Sequence, residues 1–166
     1  MSILIKKGRI VTATDDYIAD IFIEGETVSA IGKNLSVIAD KEIDAAGKLV
    51  MPGGIDPHVH LDMPFMGTFS SDNYETGTRA ALYGGTTMVI DFILQKQGNS
   101  LRSSLEEWQS RSNNNCVGDY SFHMAVTDFN DHTKKEIKDF IEQEGITSFK
   151  TFMAYKGALM IDDRQM

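Results

Sequence analysis

Two histidines two residues apart, in "GGIDPHVHLD" (residues 53–62), are the first side chains of this sequence whose types and spacing could do chemistry. On a strand, residues i and i+2 face the same way, so His58 and His60 would present their imidazoles side by side while Val59 points to the opposite face. That spacing suits two nitrogen ligands on one metal ion, and it equally suits two hydrogen-bonded structural histidines. Pro57 is tolerated only near a strand start, an edge or a bulge, which puts the pair beside irregular backbone.

Lys150 is the second such residue. It lies in "TSFKTFMAY" among Phe149, Phe152 and Met153, where a charged amine is costly unless it is paired or neutralised. A neutral amine can add CO2 to form a carbamate, whose two oxygens can bridge two divalent cations. A lysine near a strand end that reaches out to solvent is the plainer reading. Tyr155, five residues on, would fall on the opposite face of an uninterrupted strand, so it shares a site with Lys150 only if the strand has ended. There its phenol could donate a hydrogen bond to an oxyanion.

Other reactive residue types read as structural. His123 in "SFHMAV" is expected to be a satisfied core histidine, His132 an exposed loop residue beside a helix start, and Asp91 a hydrogen-bonded structural group in an apolar strand. Cys116 follows three asparagines with no basic neighbour to activate it. Glu106 and Glu107 form a solvated helix face.

The elements that must position these residues follow from periodicity. Residues 1–50 contain short apolar runs around Ile3–Ile5, Ile10–Val11, Ile21–Ile23 and Val28–Ile31, separated by turn residues such as Gly8, Asp15, Gly25 and Gly47. These runs predict a small β-meander or part of a sandwich. Residues 51–166 alternate instead. Strand-like "GGIDPHVHL" precedes a helix over 73–82 with Asp72 as N-cap and Gly84-Gly85 as stop. "TTMVIDFIL" (86–94) is a strand buried on both faces. A helix over 101–110 with Leu101, Leu105 and Trp108 on one face, a strand over 120–126, a helix over 133–145 ended by Gly145 and a strand over 146–155 complete the series. Alternation of this kind implies parallel pairing with right-handed crossovers, the pattern of the first four β/α units of a (β/α)8 barrel or of an open four-stranded α/β sheet.

The chain is long enough, at 166 residues, to bury a core, and its 42% hydrophobic and 24% charged content is that of a soluble globular protein. No run approaches the roughly 20 apolar residues of a membrane span. The first residues do not follow the charge-then-apolar order of a secretory leader, so a cytoplasmic protein is expected. A formal charge of −8 opposes binding to nucleic acid. With a single cysteine there is no internal disulfide and no CxxC, so any metal ligands must be nitrogen or oxygen.

Three segments together, "PGGIDPHVHLDMPF" (52–65), "GGTTMVIDF" (84–92) and "GITSFKTFMAYKGAL" (145–159), resemble the dihydropyrimidinase and D-hydantoinase branch of the cyclic amidohydrolases, and the resemblance runs from about Ile3 to Leu159. It implies an α/β protein: the first half of a TIM barrel preceded by part of a urease-like β-sandwich. It further implies two zinc ions per subunit, with His58 and His60 on one metal and a carboxylated Lys150 bridging both. By the same resemblance Tyr155 polarises the substrate carbonyl, while Met63, Phe65 and Phe152 join it in contacting a small-molecule cyclic amide. The family's activity is ring opening of 5,6-dihydrouracil to N-carbamoyl-β-alanine, or of hydantoins to N-carbamoyl amino acids, in a homotetramer. Asp62 stands where dihydroorotase-like sequences carry an arginine, and "LDMPF" lacks the asparagine-glutamate-proline of allantoinases. Related non-catalytic scaffold proteins of the collapsin response mediator type have lost metal ligands, so retention of His58, His60 and Lys150 favours the enzyme. The family's remaining ligands lie on later barrel strands, so this stretch is expected to be the N-terminal part of a longer protein and inactive alone.

Overall fold

The computed structural model describes residues 1–65 and 67–166, in two compact units, Met1–Pro52 and Gly53–Met166.

The first unit is a five-stranded sheet made of β1 (Ser2–Val11), β2 (Asp16–Glu24), β3 (Thr27–Gly32), β4 (Lys41–Asp44) and β5 (Leu49–Val50). Two hairpins pair β1 with β2 and β2 with β3 antiparallel, and β4 and β5 both lie parallel to β1. The second hairpin turns through Gly25 at φ +61°, a left-handed position at which a Cβ is costly. Ile10, Ala19 and Ile21 form the small buried core.

Strand β1 slips register between Ile5 and Gly8, with Lys7 at φ +60°. The bulge frees the Lys7 amide from the ladder, and the buried Asp20 carboxylate takes it at 2.8 Å while its other oxygen accepts the Leu35 amide at 2.9 Å. The Lys7 hydrogen bond, more than any other influence, holds Asp20 below the usual carboxylate range. A carboxyl with a lowered folded pKa contributes stability that is complete above its ordinary value near ~3.9 and is lost as pH falls through the folded value. Chemical denaturation midpoints followed downward from about pH 6 should therefore drop at the acid end, and Asp20→Asn should lower the neutral-pH midpoint and flatten that drop.

The second unit alternates strand and helix. After β6 (Gly54–Val59) come a short hairpin, β7 (Pro64–Phe65) and β8 (Thr68–Phe69), then α1 (Tyr74–Tyr83), β9 (Thr86–Leu94), α2 (Leu101–Ser112), β10 (Asp119–Ala125), α3 (Asp131–Glu142) and β11 (Phe149–Lys150). The sheet order is β11-β10-β9-β6, with every pair parallel, as the alternation requires. Period 2 divides β9 between two faces. Val89, Asp91 and Ile93 are buried toward the helices, and Phe92 and Leu94 face the other way. The helix side holds the core: Val89 and Ile93 of β9, Phe122 and Met124 of β10, Leu101, Leu105 and Trp108 of α2, and Phe140 of α3.

Helix ends differ from the periodicity reading in instructive ways. Asn73, not Asp72, caps α1: its side chain accepts the Thr76 amide at 2.9 Å, and the Thr76 hydroxyl accepts the Asn73 amide at 3.2 Å. Asp72 is occupied otherwise, its carboxylate taking the Thr76 hydroxyl and its carbonyl the Asp62 amide. Helix α3 starts two residues early because the Asn130 side chain accepts the His132 and Thr133 amides, so His132 is an exposed first-turn residue rather than a loop residue. It ends before Gly145, which at φ +69° lets the Ile146 amide reach back to the Phe140 carbonyl. The largest difference is β11, which pairs over only two residues instead of running from 146 to 155. Its partner β10 ends at Ala125 opposite Lys150, and beyond that point the chain bonds to its own following residues, Phe152 bridging Met160 and accepting the Ile161 amide at 3.1 Å.

Candidate functional site

The sheet face turned away from the helices gathers the chemistry. Strand β6 slips register against β9 between Asp56 and Val59, at the segment containing Pro57, and the His58 amide is taken by Asp56 Oδ1 at 3.0 Å. With Val59 packed toward the core, His58 and His60 share the opposite face, their ring centroids 5.1 Å apart and nearly perpendicular. Both rings lie against Phe92, at 4.6 and 5.3 Å.

Lys150 comes to the same place from β11. It pairs with Ala125, so it shares the face of His123 and Phe92, and its Nζ sits 4.3 Å from the Phe92 centroid and 4.9 Å from that of Phe152. The half-buried Lys150 thus places its amine over the same aromatic ring that the two histidines contact. Because β11 is short, Tyr155 is not on the opposite face of a strand. It occupies a left-handed turn at φ +62°, closed by the Ala158 and Leu159 amides on its carbonyl, and its ring packs edge-on to Phe152 at 6.0 Å.

A cavity of about 460 Å³ opens here, and its lining includes His60, Lys150, Phe152, Tyr155, Met63 and Phe65. His58 lines a neighbouring recess of about 350 Å³ that shares Lys150 with the first. The hairpin β7–β8 carries Phe65 and Phe69 to the cavity rim; its base is closed by Met63 and Ser70, each amide bonding the other residue's carbonyl or hydroxyl at 2.9 Å. Sequence reasoning missed Phe69, Ser70, Leu94 and Leu159 in this lining. Leu94 was accessible from the period-2 parity it shares with Phe92, whereas Leu159 arrives only through the turn after Tyr155.

Electrostatics favour a ligand role for His60. Burial first, and then the like charges of His58 and Lys150, hold His60 below its ordinary pKa, which leaves a neutral imidazole with a free lone pair. The donor chemistry therefore fits a divalent cation: two imidazoles on one face, and a lysine beside them that carboxylation would convert from cation to anion. Among the described residues no group of three or more His, Cys, Asp or Glu side chains converges.

Asp91 belongs to the helix side. It is fully buried and accepts the Tyr74 hydroxyl at 2.8 Å, the Leu61 amide at 3.2 Å and the Phe92 amide, while His60 Nδ1 stands 3.9 Å away, beyond hydrogen-bond range. Burial pushes its carboxyl up to about 6 against those donors. His123 is hydrogen-bonded through both ring nitrogens, as expected of a satisfied histidine, but it is half-buried on the cavity face instead of in the core, its ring tilted 36° to Phe92 at 4.8 Å. Cys116 packs against the core, and burial pushes its thiol up to about 11, away from any nucleophilic role at neutral pH.

A family model described as the amidohydrolase family matches residues 49–160. The chain is 49% identical over 163 residues to a D-hydantoinase of Geobacillus stearothermophilus, covering 98% of this chain and 35% of that relative. It is 44% identical over 169 residues to a dihydropyrimidinase of Rattus norvegicus, covering 99% and 33%. The crystal structure of a dihydropyrimidinase from Brevibacillus agri superposes with a TM-score of 0.96 at 50% identity, over 99% of this chain and 36% of that one. The chain therefore spans about a third of the length of the relatives it matches. Its α/β fold is that of the dihydropyrimidinase structures, and its parallel sheet is consistent with part of a barrel.

Proposed function

The chain belongs to the amidohydrolase family, and from that premise we propose that the whole protein carrying it opens the ring amide of a 5,6-dihydropyrimidine or a hydantoin at a zinc centre that this stretch partly builds. The observation that carries the reading is the single wall on which His58, His60, Lys150 and Tyr155 meet around Phe92 and Phe152. In this reading the second unit is the first half of a (β/α)8 barrel and the first unit part of a urease-like sandwich, within a cytoplasmic homotetramer.

Two zinc ions would fit with His58 and His60 as nitrogen ligands and a carboxylated Lys150 as the bridging group, and when bound they would supply a water nucleophile at neutral pH and Lewis-acid polarisation of the carbonyl. The chain's own residues do the rest. Neutral His60 offers its lone pair without first losing a proton. Tyr155, on the cavity wall, is placed to donate a hydrogen bond to charge developing on the attacked carbonyl oxygen. Met63, Phe65 and Phe152 offer apolar surface to the substrate ring and exclude bulk water around the reacting amide.

The test is the purified full-length protein assayed by chromatography for N-carbamoyl products from 5,6-dihydrouracil and from 5-substituted hydantoins. Turnover accompanied by about two zinc per subunit is expected for a two-metal hydrolase. A folded protein with neither metal nor turnover would place it with the non-catalytic scaffolds and overturn the proposal. Tyr155→Phe should lower kcat by about a hundredfold, the effect of losing one oxyanion donor, and leave bound zinc unchanged.

A further inference from the structure

His123 sits where the two candidate ligand strands can be tied together. On the cavity face the side chains run in order across the sheet: His58 on β6 with His60 just past its end, Phe92 on β9, His123 on β10, then Ser148 and Lys150 at the β11 edge. The His123 ring uses both nitrogens. Nε2 lies 2.9 Å from the Pro57 carbonyl and Nδ1 bonds the Ser148 hydroxyl. A carbonyl can only accept, so Nε2 carries the proton and donates, while the Ser148 hydroxyl, able to donate or accept, serves Nδ1. With both nitrogens engaged, His123 has none to offer a metal.

Its partners are informative. Pro57 lies in the stretch where β6 loses register with β9, so the carbonyl immediately before His58 sits where the regular ladder is interrupted. Ser148 precedes Lys150 by two residues and shares its face. A single imidazole, stacked at 4.8 Å on the same Phe92 ring that supports His58, His60 and Lys150, therefore bridges from one candidate ligand strand to the other across the intervening β9 and β10.

Resting on the function proposed above, we infer that His123 is a positioning residue that sets the separation between the His58/His60 pair and Lys150. It acts through the Pro57 carbonyl and the Ser148 hydroxyl and touches neither metal nor substrate.

The experiment uses the full-length protein, with zinc affinity measured by competition against a chelator, kcat and KM, and the melting temperature of the metal-free form. His123→Phe keeps the stack on Phe92 and deletes both hydrogen bonds; it should weaken zinc binding by about 10- to 100-fold, in the range for partners that orient metal ligands. KM and the metal-free melting temperature should stay near wild type while kcat falls. His123→Gln, which can still donate to one partner and accept from the other, should recover part of the affinity. Ser148→Ala, which removes only one bond and keeps the backbone, should show a smaller loss in the same direction even if the phenylalanine variant folds poorly. Wild-type zinc affinity in both His123→Phe and Ser148→Ala, or a loss matched by a fall in metal-free stability, overturns the inference. His58→Ala is run alongside: if it abolishes zinc binding while the His123 and Ser148 variants bind normally, only this inference fails, whereas a wild-type protein that binds no zinc overturns the functional reading and this inference together.

Discussion

Under the proposed function, Lys150→Ala in the full-length protein is expected to lose ring-opening activity by about a thousandfold or more, the several kcal/mol that a catalytic metal supplies, and the zinc assigned to it above. The reason is electrostatic. As an ammonium, Lys150 opposes protonation of His60 from across Phe92, and it would oppose a metal cation in the same way. In the function proposed above, carboxylation would turn it into the anionic group that metal cations need. Asp91 is not placed to substitute, because it is turned to the helix side and held by the Tyr74 hydroxyl and the Leu61 and Phe92 amides. The side chain also leaves a gap between Phe92 and Phe152 when truncated, so a short carboxylic acid such as propionate should restore part of both metal and turnover. Metal analysis and product release measured on one preparation decide the matter: near-normal zinc and turnover in Lys150→Ala would sink the bridging role.

The second large effect is structural. Trp108→Ala should destabilise the protein by about 3–5 kcal/mol, a large part of the ~5–15 kcal/mol that a domain possesses. Trp108 is 1% exposed, lies on the α2 stripe with Leu101 and Leu105, and joins the cluster that backs β9 and β10, the strands carrying Phe92 and His123. Arg111 also stacks on its ring at 4.9 Å, and that contact goes with it. Trp108→Phe should cost much less: it keeps an aromatic ring for Arg111, and it removes an indole N–H that has no hydrogen-bond partner among the described residues. Since Trp108 is the only tryptophan, unfolding is followed by far-ultraviolet circular dichroism in urea, reading the shift in midpoint at constant slope. Equal midpoints for the alanine and wild-type proteins would show that this cluster does not support the sheet.

The sequence by itself determined what depends on short-range pattern. Period 2 put His58 and His60 on one face and marked β9 as a strand from Thr86 to Leu94; the 101, 105, 108 spacing marked the buried stripe of α2. Pro57 announced an irregularity in β6, and Gly145 announced the end of α3. The resemblance of three segments to cyclic amidohydrolases reached the family before any coordinate was known. These features are carried by steric preferences of a few adjacent residues, so they can be read locally.

Tertiary structure decided the rest. Where β11 stops depends on where β10 stops, and that placed Tyr155 in a turn beside Lys150 instead of across the sheet from it. Asn73 displaced Asp72 as the cap of α1 because Asp72 was already bonded to Asp62 and Thr76. His123 left the core reading because its partners, Pro57 and Ser148, lie 66 and 25 residues away along the chain. The β11 and His123 outcomes turn on a donor or acceptor finding its partner from a distant segment, and the cap on which of two adjacent side chains takes the Thr76 amide. A buried polar group must be satisfied by whatever the fold brings to it, and proximity in the sequence does not specify what that will be.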